Sequence, residues 1–391
     1  MNQSIFDKEV ERRNTGAMKW DVAEGELPMW VADMDFETAP QITEAIVKRA
    51  EQGVFGYTMI QDEWYQAYQN WWSSRHGFKI EKDWLIFCTG VVPAISSIVR
   101  KMTTVAEKVV VMTPVYNIFF NSIVNNGRNV LESRLKYEDG SYYIDFEDLE
   151  EKLSDPQASM LILCNPHNPI GKIWDRETLE RIGELCMKHH VLVLSDEIHC
   201  DLTKPGTEYI PFVSVSDVCK YNSITCVAPT KTFNLAGIQT AAVIVPDENI
   251  RHKVNRGLNT DEVAEPNVFA AIAPVAAFGY GASWLDRLRE YLWENRRYAE
   301  TYIREQIPGI RTVSGEATYL LWIDCTQVTE NRPGLCSFLR KETGLYLSDG
   351  KEYRNGEGFL RMNLACQRYK VEDGMKRLKA GIEKYCQEYN K

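Results

Sequence analysis

The sequence has no excess of basic residues and no long apolar run. Lys and Arg number 45 against 55 Asp and Glu, which gives a formal charge of -10 at pH 7. Nucleic acids and anionic membranes both attract basic surfaces, so this balance disfavours both as partners. The most apolar later stretch, residues 268–278, is short and interrupted by Pro274. It is not expected to cross a bilayer unaided.

Paired cysteines and a targeting segment are also missing. The 10 cysteines are scattered singly, and none forms a C-x-x-C pair or stands at metal-ligand spacing from a histidine. We therefore predict reduced thiols and no metal site. The opening MNQSIFDKEVERR mixes acids and bases without the apolar core of a secretory signal. A cytoplasmic protein is the expectation.

What the sequence does contain is a series of short apolar runs that alternate with helical patterns. Several runs are apolar on both faces, as in strands covered on both sides of a parallel sheet. They predict an α/β fold with a mainly parallel seven-stranded sheet. The seven runs are WLIFCT, KVVVMTP, NVLESRL, MLILCNP, VLVLSDE, SITCVAP and TAAVIVP.

A chain of 391 residues is too long for one ordinary core, so two domains are expected. We predict an N-terminal arm that joins the small domain (1–44), a large cofactor-binding domain (45–282) and a small C-terminal α+β domain (283–391). The last of these has strand candidates at TYLLWIDC and FLRMNLAC.

Lys231 follows the run SITCVAP and stands between two threonines. A lysine desolvated at the end of a buried strand loses part of its preference for the charged form, and its amine becomes available for Schiff-base or general-base chemistry. The alternative is a lysine whose stem packs over a turn while its head stays in water. Only its surroundings can decide between the two.

Chemically useful residues follow the other runs at the same predicted sheet edge. Gly90, Val91 and Val92 open a helix and so offer main-chain N–H groups to an anion, although many strand-to-helix turns look like this. No Walker lysine and no G-x-G-x-x-G motif accompanies them, which disfavours nucleotides. Tyr116 fits either a stacking ring or a packed core residue.

Two further runs end in polar groups. Asn168 lies in the over-specified turn NPHNPIG, and Asp196 with His199 lies in SDEIH. The acidic residues and the imidazole could be solvated caps at the strand end, but a half-buried Asp there would need a positively charged partner. A phosphorylated aromatic aldehyde would use the lysine, the acid, the amide, the aromatic ring and the anion site together, which predicts pyridoxal 5'-phosphate as the cofactor.

The order NPHNPIG, SDEIH, TKTFNLAG resembles the class I/II aminotransferase-fold pyridoxal-phosphate enzymes. The flanking text KWD, LPMWVADMDF, VFGYT, GVVPA, TPVY, EATYLLWID and FLRMNLAC is similar to the cystathionine β-lyase branch, the MalY/PatB-type carbon–sulfur lyases. The similarity runs from about Lys19 to past Cys366, nearly the whole chain.

This resemblance implies a role for each matching position. Lys231 would bond covalently to the cofactor and later move the proton at the substrate Cα, and Asp196 would pair with the pyridine nitrogen. Tyr116 would stack on the ring, and Asn168 would contact its phenolic oxygen. His199, where many relatives have a tyrosine, would contact that oxygen too.

The resemblance also implies how phosphate and substrate are held. The backbone of residues 90–92 and the hydroxyl of Thr230 would bind the phosphate. Tyr57 would reach it from a neighbouring subunit, making the protein a homodimer with shared sites. Arg361 would hold the α-carboxylate of a small amino-acid substrate, with Ala32 beside it.

Three positions depart from the family pattern. Ala228 stands where many aminotransferases have a phosphate-binding serine, and Gln239 where many have an arginine. This predicts a phosphate held less by charge and more by Thr230 and Tyr57. Gln367 replaces an expected proline, and the sequence offers no account of it.

The resemblance implies a carbon–sulfur lyase that cleaves cystathionine or a related cysteine conjugate by β-elimination to a thiol, pyruvate and ammonia. An aminotransferase on the same scaffold is the alternative, because both reactions share the first proton removal. A regulatory protein that keeps the cofactor is the third hypothesis. Which sulfur amino acid is preferred stays open.

Overall fold

The structure is a computed structural model that describes residues 4–330 and 334–389. Its strands are β1 Leu27–Pro28, β2 Leu85–Cys88, β3 Lys108–Thr113, β4 Asn129–Arg134, β5 Lys136–Glu138, β6 Ser141–Tyr143, β7 Ala158–Cys164, β8 Leu192–Asp196, β9 Ser223–Val227, β10 Ala241–Ile244, β11 Arg311–Thr312, β12 Leu320–Asp324, β13 Leu345–Tyr346, β14 Ser348–Asp349 and β15 Phe359–Asn363.

The α-helices are α1 Pro40–Ala50, α2 Asp62–His76, α3 Val91–Met102, α4 Ile118–Val124, α5 Phe146–Leu153, α6 Arg176–Lys188, α7 Asp217–Tyr221, α8 Pro229–Thr232, α9 Glu248–Thr260, α10 Val268–Tyr280, α11 Ala282–Gln306, α12 Thr326–Thr329, α13 Leu335–Thr343 and α14 Arg368–Tyr389. Short 3-10 helices span Ile5–Asp7, Met18–Trp20, Lys82–Trp84, Phe212–Ser214, Ala236–Ile238 and Gly350–Tyr353.

All seven predicted runs form one sheet, in the order β2-β10-β9-β8-β7-β3-β4. Strand β10 pairs antiparallel with both of its neighbours, and the other pairs are parallel. The fold-class prediction of an α/β protein with a mainly parallel seven-stranded sheet is therefore confirmed. The antiparallel strand is a detail that apolar runs do not encode.

Register places the carboxyl ends of the central strands side by side. Cys164, the last residue of β7, pairs with Asp196, the last residue of β8, and Asp196 pairs with Cys226 of β9. Strand β2 runs in the same direction as β9, because both are antiparallel to β10. The segments that follow β2, β7, β8 and β9 therefore leave the sheet at one edge.

Apolar side chains cover both faces of this sheet. Every residue of β9 is buried, as is all of β3 after its first residue. Several covering helices begin at an acidic or amide cap: the side chains of Asp145, Asp175, Asp247 and Asn267 accept N–H bonds at the starts of α5, α6, α9 and α10. Such a cap contributes about 1 kcal/mol, so these residues fix where the helices start.

Apolar helices raise the question of membrane insertion. Within the described ranges, no single helix is long and apolar enough to span a membrane. The helices α10 and α11 pass such a test only as a pair, and the pair is bent by 77°.

A second sheet lies in the C-terminal part, with strand order β11-β12-β15-β14 and antiparallel pairing throughout. The N-terminal segment joins this part, because β1 pairs in parallel with β13. Helix α11 begins at Ala282, next to the predicted boundary at 282/283. The division into domains at that point stays a prediction.

Candidate active site

Lys231 lies on the short helix α8, four residues after β9 ends. Its Nζ donates a hydrogen bond to the main-chain oxygen of Ala32, at 2.6 Å. Burial and, to a lesser extent, the positive charge of Arg361 lower the pKa of Lys231 to about 8, against the opposing effect of Asp33 and Asp196. Its amine is therefore much closer to neutral at physiological pH than that of an ordinary lysine.

Asp196 ends strand β8 and is buried. One carboxylate oxygen accepts the N–H of Ile198 at 3.1 Å. Burial raises the pKa of Asp196 to about 7, while the Ile198 bond and the charge of Lys231 lower it. A carboxyl in this condition is suited to a positively charged partner, which would return it to its ionised form.

Arg361 on β15 meets Asn168, which follows β7, although the two residues are 193 positions apart. A guanidinium nitrogen of Arg361 donates to Asn168 Oδ1 at 3.1 Å, and another donates to the Trp30 carbonyl at 2.8 Å. The Nε of Arg361 is buried and has no partner among the described residues. Because the oxygen of Asn168 faces Arg361, its amide NH₂ is left to donate elsewhere.

Aromatic rings and an imidazole enclose these groups. His199 is buried, and burial lowers its pKa to about 3, as do the charges of Lys231 and Arg361. Its Nδ1 has no partner among the described residues. The ring of Tyr319 lies edge-on to it at 6.3 Å between centroids. Tyr116 is half buried and packs edge-on against Phe119 at 5.6 Å.

The predicted phosphate residues lie at the same edge of the sheet, with one exception. Gly90 precedes the first residues of α3, Val91 and Val92, whose N–H groups have no partner inside the helix. Thr230 is buried beside Lys231. Tyr57, in contrast, is fully exposed at 104% relative accessibility, so this chain does not bring it to its own site.

A buried carboxylate, that of Asp201, holds helix α8, which carries Lys231, in place. Asp201 accepts hydrogen bonds from Trp71 Nε1 and Thr232 Oγ1, each at 3.0 Å, and His76 Nε2 lies 3.0 Å away. His76, Cys200 and Asp201 are close enough together to hold a metal ion, but these hydrogen bonds already engage the carboxylate. The contacts tie Thr232, next to Lys231, to helix α2.

Sequence reasoning missed three residues here. Tyr319 donates its hydroxyl to the Ala32 carbonyl at 2.9 Å, the same oxygen that Lys231 contacts. Asn234 and Asn363 donate to main-chain carbonyls of the N-terminal segment. Carbonyl acceptors carry no side-chain signal, so only the motifs TKTFNLAG and FLRMNLAC hinted at these asparagines.

Two of the family departures find a place in the structure. Gln367 is buried, and its Nε2 donates to the carbonyls of Lys8 at 2.8 Å and Asp35 at 2.9 Å. A proline has no side-chain donor, so the glutamine adds a link to the N-terminal segment. Gln239 is exposed and has a left-handed backbone.

The residues present fit pyridoxal phosphate. Unpartnered buried atoms remain on His199 and Arg361, next to the free amide of Asn168 and at the edge where α3 begins. Asp196 lacks a full counter-charge, and the pKa of the Lys231 amine is lowered. A ligand that carries an aldehyde, a basic ring nitrogen, a phenolic oxygen and a phosphate could bind to each of these groups.

Comparison with known proteins agrees with this geometry. The family model described as aminotransferase class I and II matches residues 27–378. The chain belongs to this family. It is 42% identical to cystathionine beta-lyase PatB of Bacillus subtilis, over 96% of this chain and 99% of that protein.

Solved structures of this aminotransferase family match almost the entire chain. Cystalysin from Treponema denticola, which contains pyridoxal 5'-phosphate, superposes with a TM-score of 0.93 at 30% identity, covering 97% of this chain and 98% of that one. The PLP-bound C-S lyase from Staphylococcus hominis superposes with a TM-score of 0.91 at 30% identity, covering 97% and 99%. The resemblance predicted from the motifs is confirmed.

Proposed function

We propose that this edge of the sheet is the active site of a pyridoxal-phosphate-dependent carbon–sulfur lyase. The single observation that carries the proposal is that the Lys231 amine lies close enough to both Asp196 and Arg361, which come from two other parts of the chain, for the charge of each to shift its pKa. The predicted cofactor and lyase class are confirmed by the PLP-bound relatives and by the name and near-complete coverage of the Bacillus relative.

The residues would hold the cofactor as follows. Asp196 would pair with the ring nitrogen, Tyr116 would stack on the ring, and Asn168 and His199 would reach its phenolic oxygen. The N–H groups at the helix start, residues 90–92, and the Thr230 hydroxyl would hold the phosphate. When bound, the cofactor supplies an electron-withdrawing ring that makes the substrate Cα–H acidic.

Arg361 positions the substrate. Its guanidinium is already anchored by Asn168 and Trp30, so its direction is set before the α-carboxylate arrives. The unpartnered Nε is left for that carboxylate, and a planar guanidinium suits a two-point contact better than an ammonium. Ala32 borders the same space through the carbonyl that contacts Lys231.

Lys231 performs the proton step. Its lowered pKa allows a neutral amine to take the proton from Cα. The electron pair left by that proton forms the Cα–Cβ double bond, while the Cβ–S bond breaks and its electrons leave on the thiolate. Water then hydrolyses the elimination product to pyruvate and ammonia.

A cystathionine assay tests this function against transamination. With L-cystathionine and no 2-oxo acid, we expect continuous release of pyruvate and homocysteine in equal amounts. An aminotransferase would stop after one half-reaction, because nothing would regenerate its cofactor. Product formation that stops after one equivalent per site, and resumes when a 2-oxo acid is added, would replace the lyase assignment with that of an aminotransferase. Binding without turnover under both conditions would favour the regulatory hypothesis.

We also propose that the enzyme is a cytoplasmic homodimer. An exposed segment carries four large apolar side chains with relative accessibilities of 59–104%, namely Val54, Phe55, Tyr57 and Met59. A second copy of the chain would cover this segment and receive Tyr57 in its phosphate site. The ten cysteines are free and eight of them are buried, which suits a reducing compartment.

Mixed dimers test the shared site. Tyr57→Ala and Lys231→Ala are each expected to be inactive alone. If Tyr57 serves the partner's site, random reassociation places one intact site in half of the dimers, so about a quarter of wild-type activity returns. Pyruvate release after the two variants are refolded together measures this recovered activity.

Lys231→Ala mixed with Asp196→Asn is the matched control. Both residues belong to one chain's site, so no intact site can form and no activity should return. Recovery no greater than the sum of the parents in the Tyr57 mixture would show that the sites are not shared.

A further inference from the structure

The N-terminal segment 29–36, which we call the arm segment, touches both ends of the active site through main-chain oxygens. The Ala32 carbonyl accepts from Lys231 at 2.6 Å, and the Trp30 carbonyl accepts from Arg361 at 2.8 Å. The arm segment therefore determines where the base and the carboxylate-binding group stand. The residues that hold the arm segment in place therefore also affect the positions of Lys231 and Arg361.

Asn234, three residues after Lys231, binds the arm segment with both ends of its amide. Its Nδ2 donates to the carbonyls of Met34 and Phe36, each at 3.0 Å. Its Oδ1 accepts the N–H of Met34, also at 3.0 Å. Only an amide side chain presents a donor and an acceptor in this way, so the residue type matches the main chain that it reads.

The backbone of Asn234 supports a specific function for this amide. Its φ is 56°, in the left-handed region that asparagine tolerates better than other side chains do. Glycine would adopt the same conformation without a Cβ, but it would contribute no amide. The position therefore combines a backbone requirement with a side-chain requirement that asparagine satisfies.

The opposite side of the arm segment is held by the strand that bears Arg361. Asn363 Nδ2 donates to the carbonyls of Val31 and Asp33, each at 2.6 Å. The N–H of Asp35 donates to the Ala365 carbonyl at 2.8 Å. Arg12 adds ion pairs to Asp33 and Asp35. Of these contacts, those of Asn234 alone come from the residues directly after helix α8, which carries Lys231.

These contacts close a ring. From Lys231 the chain leads to Asn234, its amide leads to Met34, the arm segment leads back to Ala32, and the Ala32 carbonyl returns to the Lys231 amine. We propose that Asn234 is a positioning residue for Lys231: its amide fixes the arm segment so that the Ala32 carbonyl holds the lysine amine in place. The catalytic part of this inference rests on the proposed lyase function.

The test uses Asn234→Gly, which keeps the left-handed backbone and removes the amide, and Asn234→Asp, which keeps its shape but cannot donate to the carbonyls of Met34 and Phe36. Asp139→Gly is the matched control, since Asp139 also has a positive φ, 48°, in an exposed turn between β5 and β6. Amide hydrogen exchange in the cofactor-free proteins is the first measurement, and it does not depend on the reaction.

We expect the Met34 amide to exchange about tenfold faster in Asn234→Gly, because it loses its acceptor, with the central sheet unchanged. The second measurement is the pH midpoint at which Lys231 captures added pyridoxal phosphate, seen as visible absorbance. The Ala32 carbonyl stabilises the charged amine, so losing that contact should lower the midpoint in Asn234→Gly. With cystathionine, kcat should fall more than KM changes, since Lys231 acts after binding.

Unchanged exchange and an unchanged midpoint in both variants would overturn the inference. So would faster exchange with a wild-type midpoint, because the arm segment would then be loosened without consequence for Lys231. If cystathionine is not cleaved even by the wild type, the lyase assignment fails, while the exchange and midpoint measurements still decide the role of Asn234. If Asn234→Gly does not fold, Asn234→Ala, which also removes the amide without adding a charge, supplies the same midpoint comparison.

Discussion

The Lys231→Ala protein is expected to lose pyruvate release by about 10⁴-fold or more and to show no visible absorbance from a lysine-bound cofactor. Two proposed functions would be removed at once: the amine that bonds to the cofactor and the base that takes the Cα proton. The fold should persist, because within the described residues the Lys231 side chain makes one hydrogen bond, to the Ala32 carbonyl. Circular dichroism measures whether the fold persists, and cystathionine turnover measures the loss of activity.

Borohydride reduction followed by peptide mapping provides the decisive measurement. In the wild type, the reduced cofactor should be found on Lys231, and in the variant on no lysine. Lys253→Ala, on the exposed face of α9, is the matched control and should keep both the adduct and the activity. A reducible adduct that survives in Lys231→Ala would show that another lysine carries the cofactor.

Asp196→Asn should change activity and stability in opposite directions. Without a carboxylate, the ring nitrogen of the cofactor would lose the partner proposed to keep it protonated, so turnover is expected to fall by about 10²- to 10⁴-fold. The cofactor-free variant, in contrast, should be more stable than the cofactor-free wild type at pH 8. The neutral amide avoids a buried charge that the carboxylate must bear.

The direction in which stability changes with pH follows from the raised pKa of Asp196. Burial raises the pKa of Asp196 from 3.8 to about 7, so between these values the folded protein binds more protons at this site than the unfolded chain does. The cofactor-free wild type therefore loses stability as pH rises through this window, and the asparagine variant does not. The difference should be small near pH 4 and reach about 1–4 kcal/mol at pH 8.

Urea unfolding of both cofactor-free proteins at pH 5 and pH 8 measures this difference. Asp201→Asn is the matched control. Burial raises the Asp201 pKa, but hydrogen bonding and charge from His76 outweigh it and leave that pKa lowered. That variant should lose stability at pH 8. A stability difference for Asp196→Asn that does not change with pH would contradict the assignment of a buried, uncompensated carboxylate.

Much of this architecture could be predicted from local patterns in the sequence. Strands of a parallel sheet are covered on both faces, so they appear as continuous apolar runs, and all seven runs became strands of the sheet. Ligands bind at the carboxyl ends of such strands, which directed attention to Asn168, Asp196 and Lys231. The aligned register of β7, β8 and β9 places their three segments together as that rule requires.

The sequence by itself thus determined the fold class, because buried strands leave continuous apolar runs, and its motifs determined the family and the cofactor through their resemblance to known enzymes. It also suggested the residues proposed to carry the chemistry, because they follow the strand ends. Only the tertiary structure decided how the arm segment meets the site. Asn234 binds Met34 across 200 residues, and Lys231 contacts Ala32 across 199. The acceptors are main-chain carbonyls, which every residue has, so no side-chain pattern could announce them. For Tyr57 the order was reversed. A sequence motif identified the residue, but only the tertiary structure showed that its side chain is fully exposed.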